Sequence, residues 1–137
     1  MYRGDELSAR KKLILKAIID AHIENGEPVG SKYLTQHKQI SCSSATIRNE
    51  MAELSRLGFL DQPHTSAGRI PSQLGYRYYV DRLMNRYELP LNDKRLIEAR
   101  LSDAGGEPQQ ILEQAGQVLA ELTNCAVVST TPSDTNA

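Results

Sequence analysis

The chain has 137 residues, 39% of them apolar and 24% charged, with six Tyr, one Phe and no Trp; this is the length of one average domain, or of one small domain with a second piece attached, and it excludes an aromatic-rich binding cage or a large single core. No apolar run approaches the ~18 residues that would span a bilayer, and the start Met1-Tyr2-Arg3-Gly4-Asp5-Glu6 lacks a signal peptide's apolar stretch, so a cytoplasmic protein with no membrane partner is expected. The net charge of -1 hides an asymmetry: residues 1 to 90 hold 13 Lys/Arg against 10 Asp/Glu, a net of +3, and residues 91 to 137 hold 3 against 7, a net of -4. A mildly basic front half and an acidic rear fit a nucleic-acid module followed by an interaction or regulatory segment.

In chain order, Leu15, Ile18, Ile19, His22 and Ile23 recur at helical spacing opposite Lys12, Lys16, Asp20 and Glu24, predicting a helix from Ser8 as cap to Asn25, ended by Gly26 and Pro28. Ser31 precedes a short helix, Lys32 to about His37. A third helix starts at Ser43-Ser44, carries Ile47, Met51, Leu54 and Leu57 on one face and ends at Gly58. The period then changes: Phe59 to Gln62 reads as a strand, Pro63 to Gly68 as a loop and Arg69-Ile70 as a return strand closed by Pro71. Ser72 caps a helix to about Tyr87, presenting Tyr76, Tyr79, Val80, Leu83 and Met84 to one side. Beyond Pro90, Asn92 to about Leu101 and Pro108 to about Thr123 read as two helices joined by Gly105-Gly106. Ala126 to Thr131 reads as a strand with nothing after it to pair with, which implies a longer protein or pairing in an oligomer.

Three helices followed by a hairpin is the order of a winged helix-turn-helix, whose third helix enters a major groove while the hairpin reaches a neighbouring phosphate or minor groove. With Ile47, Met51 and Leu54 turned inward, the outer stripe of the third helix is Ala45, Arg48, Asn49, Ala52 and Arg56. Small residues at 45 and 52 permit close approach, Arg48 has the fork for guanine and Asn49 the amide for adenine. Ser43, Ser44 and Thr46 place hydroxyls at a helix N-terminus, where phosphate is favoured. A solvated, capped helix carries the same residues; the order of elements around it favours the groove reading. In the loop, Thr65, Ser66, Gly68 and Arg69 suit a wing that tracks the backbone, with Arg69 directed at a minor groove; a plain polar turn is the alternative. Arg10, Lys11 and Lys12 sit where the helix dipole disfavours cations, so either a phosphate contact or simple solvation accounts for them. His22 reads as a packed, hydrogen-bonded residue.

Catalysis is not indicated. Ser66 is outside a G-x-S-x-G context, His64 has no partner nucleophile, and no phosphate-binding loop occurs. Cys42 and Cys125 form no C-x-x-C pair, so no metal or cofactor is expected. A winged-helix protein-interaction module without DNA readout is the competing class.

The stretches Gly26-Glu27-Pro28-Val29-Gly30-Ser31, Ser43-Ser44-Ala45-Thr46-Ile47-Arg48-Asn49-Glu50-Met51, Gln62-Pro63-His64-Thr65-Ser66-Ala67-Gly68-Arg69-Ile70-Pro71 and Gly75-Tyr76-Arg77-Tyr78-Tyr79-Val80-Asp81 closely resemble the N-terminal part of the bacterial heat-inducible transcription repressor family HrcA. The resemblance covers about residues 8 to 85. It implies a dimeric repressor that binds double-stranded DNA at the CIRCE inverted repeat of chaperone operons and answers to the GroEL chaperonin. It also implies a mainly α chain: a winged-helix DNA-binding domain over residues 1–88, then over 89–137 a helical linker and the start of a truncated GAF-like effector and dimerisation domain.

Overall fold

The computed structural model describes residues 7–64 and 66–131. They form two compact units that divide after Asn85.

In the first unit, α1 (Ala9–Asn25) starts where the Ser8 side chain accepts a hydrogen bond from the Lys11 amide at 3.2 Å, and ends at Gly26, whose φ of 71° lets its amide reach the His22 carbonyl. Its buried face is Ile14, Leu15, Ala17, Ile18, Ile19 and Ala21. The expected inward position of Ile23 is corrected: it is 58% exposed, because the core side of α1 is centred nearer Leu15 and Ile18. His22 is half-buried and its Nδ1 donates to the Glu27 carbonyl at 2.8 Å, which ties the α1 exit to the following turn.

The second helix, α2 (Ser31–Thr35), ends two residues before His37, the end its pattern suggested, and has Gly30, not Ser31, in the cap position. α3 (Ser44–Arg56) is capped by Ser43 and buries Ile47, Met51 and Leu54. Its exit is a Schellman turn: the Phe59 amide donates to the Leu54 carbonyl at 3.0 Å and the Gly58 amide to the Ser55 carbonyl at 3.0 Å, with Gly58 at φ 87°. This turn drops Phe59 and Leu60 directly into the core, where Phe59 packs on Tyr78 with ring centroids 5.3 Å apart.

The hairpin is β1 (Leu60–Asp61) against β2 (Ile70–Pro71), antiparallel, with Leu60 opposite Pro71 and Asp61 opposite Ile70. The sequence did not announce its third member. Val29 bridges Arg69 through both backbone hydrogen bonds, at 2.8 and 2.9 Å, so the chain between α1 and α2 lies along the outer side of the wing.

After Ser72, α4 (Gln73–Tyr78) passes into a π-helical turn, Tyr79–Leu83, which ends at Met84. Two expectations fail here. The helix stops well short of Tyr87, and the inward residue is Tyr78, whereas Tyr76, Val80 and Met84 are exposed. The cause is Gly75, whose backbone lies against the Phe59 carbonyl so closely that it fixes the Gly75/Tyr78 side as the docking face. A glycine contributes nothing to an apolar periodicity, so the pattern pointed elsewhere. Tyr79 is half-buried and its hydroxyl donates to Asp20 Oδ1 at 2.6 Å, while Asp20 Oδ2 pairs with Lys16 at 2.6 Å.

In the second unit, α5 (Leu91–Ser102) and α6 (Pro108–Thr123) pack as a hairpin through a turn in which Gly105 and Gly106 take φ of 65° and 83°. Arg100 and Glu121 pair across it at 2.9 Å. Residues 126–131 form no strand: without a partner edge among the described residues no ladder can close, and Val128 is 89% exposed. The segment passes beside Gly116 of α6, where Ser129 and Val127 occupy the space a side chain would fill. The whole is mainly helical with one small sheet, and no helix among the described residues is long and apolar enough to cross a membrane.

Candidate nucleic-acid interface

Because Ile47, Met51 and Leu54 are fixed in the core, the opposite side of α3 is turned to solvent, and Ala45, Arg48, Asn49, Ala52 and Arg56 are all exposed on it. The outer stripe read from the sequence therefore exists as one surface. At its N-terminal end the Ser43 hydroxyl accepts from the Thr46 amide at 3.2 Å and lies 2.9 Å from the Thr46 hydroxyl, so both side chains are occupied in the cap; Ser44 is half-buried beside them. Arg48 Nε donates to Ser31 Oγ at 3.4 Å, a long bond that leans the guanidinium toward α2. Asn49 and the two alanines stand in the open.

Arg56 is less free than its position suggested. Its Nη2 donates to Glu53 Oε1 at 2.6 Å on the same helix. That hydrogen bond first, and the Arg56 charge second, hold the Glu53 carboxyl below its usual range, and the same pairing raises the guanidinium. A phosphate that approaches Arg56 competes with the Glu53 carboxylate for its charge.

The wing is pinned rather than loose at its C-terminal side. Arg69 Nε donates to Ser55 Oγ at 3.0 Å and Nη1 to the Ala67 carbonyl at 3.0 Å, so this side chain ties the loop to α3. The Ser66 hydroxyl accepts from the Gly68 amide at 3.0 Å. Gly68 is buried, and a Cβ there would stand 2.9 Å from Pro28 Cβ and 3.0 Å from the Pro28 carbonyl carbon, which gives it a packing reason to be glycine. Thr65 lies outside the described residues.

Sequence reasoning missed what holds α1 against α3. Glu50 projects from α3 with 14% of its side chain exposed and meets Lys11 at 2.7 Å, a charge contact rather than an aligned hydrogen bond, with Arg10 at 3.7 Å. Glu50 thus offsets part of the unfavourable dipole position of these two cations, a partner that the sequence reading did not consider. Glu50 reads as just another polar residue in the chain, and only the crossing of α1 over α3 brings it to them. Among the described residues no cluster of His, Cys, Asp and Glu could hold a metal ion.

A helix-turn-helix with its second helix exposed along one polar stripe, backed by a two-stranded wing, defines a winged-helix protein. Comparison with known proteins narrows this. No protein-family profile matches the chain. Curated relatives named heat-inducible transcription repressor HrcA do: that of Pelotomaculum thermopropionicum is 47% identical over 131 residues, covering 93% of this chain and 36% of the relative. Those of Acetivibrio thermocellus and Clostridioides difficile are 44% and 45% identical, covering 96% and 93% of this chain and 37% and 38% of theirs. A crystal structure described as that of a hypothetical protein is similar with a TM-score of 0.63 at 36% identity, covering 85% of this chain and 36% of the other. The chain corresponds to the N-terminal portion of the HrcA family and spans little more than a third of the length of the curated relatives it matches.

Proposed function

We propose that this chain is the DNA-reading portion of a transcriptional repressor of heat-shock chaperone operons, acting without catalysis in the cytoplasm. The observation that carries the proposal is the exposed stripe of α3, with two small residues flanking an arginine and an asparagine in a helix whose other side is locked into the core. In this reading Arg48 and Asn49 read base edges, Ala45 and Ala52 allow the helix to sit deep, and Ser43, Ser44 and Thr46 position phosphate. Arg56 and the wing residues Thr65, Ser66, Gly68 and Arg69 border the same duplex. The names of the relatives support the repressor role.

The fuller reading is a dimer that places two α3 helices in successive major grooves of the CIRCE inverted repeat and occludes transcription initiation. Residues 1–88 form the DNA-binding domain in this scheme. Residues 89–137 form a linker and the first part of a GAF-like domain, with GroEL modulating the whole protein. Native mass spectrometry of the chain on a duplex carrying the repeat tests it. Two chains per duplex are expected, and binding confined to a scrambled duplex or absent from both sinks the reading in favour of a protein-interaction module.

A further inference from the structure

Between the start of α2, the face of α3 and the base of the wing lies an open concavity of about 450 Å³, with Met51 at its floor. Lys32, Arg48 and Arg69, one from each element, line it, and no carboxylate does. Ser31 and Gln62 complete its polar rim. Two of the three cations are held in place: Arg48 Nε is bonded to Ser31, and Arg69 is fastened through Nε and Nη1, which leaves its Nη2 without a hydrogen bond among the described residues. Lys32 is exposed and in no ion pair among them. Three cations gathered without a carboxylate in the lining, in a chain of net charge -1, form a positive pocket suited to a tetrahedral oxyanion.

We propose that this concavity seats one phosphate of the DNA backbone, gripped between α2 and the wing, and that Lys32 and Ser31 therefore belong to the binding surface although they lie outside the stripe of α3. The proposal rests on the DNA-binding reading above. The seat sits beside the foot of α3, so it fixes the register of that helix along the groove rather than the choice of base.

Lys32→Ala in the full chain tests it, since Lys32 is exposed, with circular dichroism checking that the fold is kept. Removing one phosphate contact lowers the log-log salt slope by about 0.9, so the affinity ratio of wild type to variant shrinks about 3.5-fold between about 50 and about 200 mM salt, equally for the repeat and for a scrambled duplex. A duplex with a single neutral methylphosphonate at the seated position reproduces the loss, and combining it with Lys32→Ala adds nothing further. An unchanged slope in the variant, or full additivity at every methylphosphonate position, overturns the proposal. Failure of the parent reading looks different: the wild type itself binds neither duplex. In that event inorganic phosphate is titrated against the Gly30, Ser31 and Lys32 amides by NMR, and saturable shifts there assign the seat to a free phosphate and overturn the backbone source.

Discussion

Among the described glycines, Gly75 is the most closely approached, and it makes a sharp prediction. A Cβ at that position would stand 2.2 Å from the Phe59 carbonyl oxygen and 3.2 Å from its carbon, about 1 Å short of any tolerable carbon–oxygen separation. Neither partner can yield cheaply. The Phe59 carbonyl accepts from the Ser72 amide at 3.1 Å, and the first turn of α4 is clamped by the Ser72 hydroxyl, which accepts from the Gly75 amide at 3.0 Å and donates to the Gly58 carbonyl at 2.5 Å. Helix propensity alone would make Gly75→Ala stabilising by about 1 kcal/mol. Overpacking against backbone, at the upper end of about 3 kcal/mol, outweighs it, leaving a net loss of about 2 kcal/mol, or a melting temperature lower by about 8–16 °C for a unit of this size. Thermal and urea unfolding followed by circular dichroism measure it, with Gly30→Ala, where nothing lies within 4 Å, changing stability by less than about 1 kcal/mol. An alanine variant at 75 as stable as the parent would refute the claim that this contact sets the orientation of α4.

Other outcomes follow from the interface. Arg48→Ala should cost about 1–3 kcal/mol in binding the repeat and relax preference at one base pair in a scan of substituted duplexes; equal losses on all sequences would contradict base readout. Glu53→Gln should raise affinity for repeat and scrambled duplexes alike, because it frees Arg56 and removes an acid from α3; fluorescence anisotropy reads the gain. The Glu53 carboxyl titrates lower in the folded chain than in the unfolded one, so the pairing's contribution is present above the ordinary carboxylate range and fades as pH falls through the lowered value. The Arg56 side-chain NMR signal should move in that window. Glu50→Gln should cost about 1–2 kcal/mol in urea unfolding, between the values for exposed and buried pairs, by releasing α1 from α3.

What could be read from the chain and what could not divide along physical lines. α1 and α3 were legible because each has a serine cap and a glycine stop around an apolar face, at Ser8 and Gly26 and at Ser43 and Gly58, and α5 and α6 because Pro90, Gly105-Gly106 and Pro108 punctuate the chain around them. The outward residues of α3 followed once its buried side was known. The helix after Ser72 was misread because its docking residue is Gly75, invisible to any apolar count, and because the backbone changes to a π-turn at Tyr79. Contacts between distant segments were out of reach for the same reason: Glu50 with Lys11, Val29 with Arg69 and Ser31 with Arg48 each join residues that no local pattern links. At the candidate site, the residue types of α3 were apparent from the sequence, whereas the restraint on Arg56 and Arg69 and the concavity beside Lys32 exist only in three dimensions.

The central claim is that α3 reads DNA. A binding titration of this chain against a duplex carrying the CIRCE repeat and a scrambled duplex, each at two salt concentrations, tests it most directly. Clear preference for the repeat is expected and, for roughly six to eight neutralised phosphates, a log-log salt slope near -5 to -7. Equal, weak and salt-insensitive binding to both duplexes would contradict it.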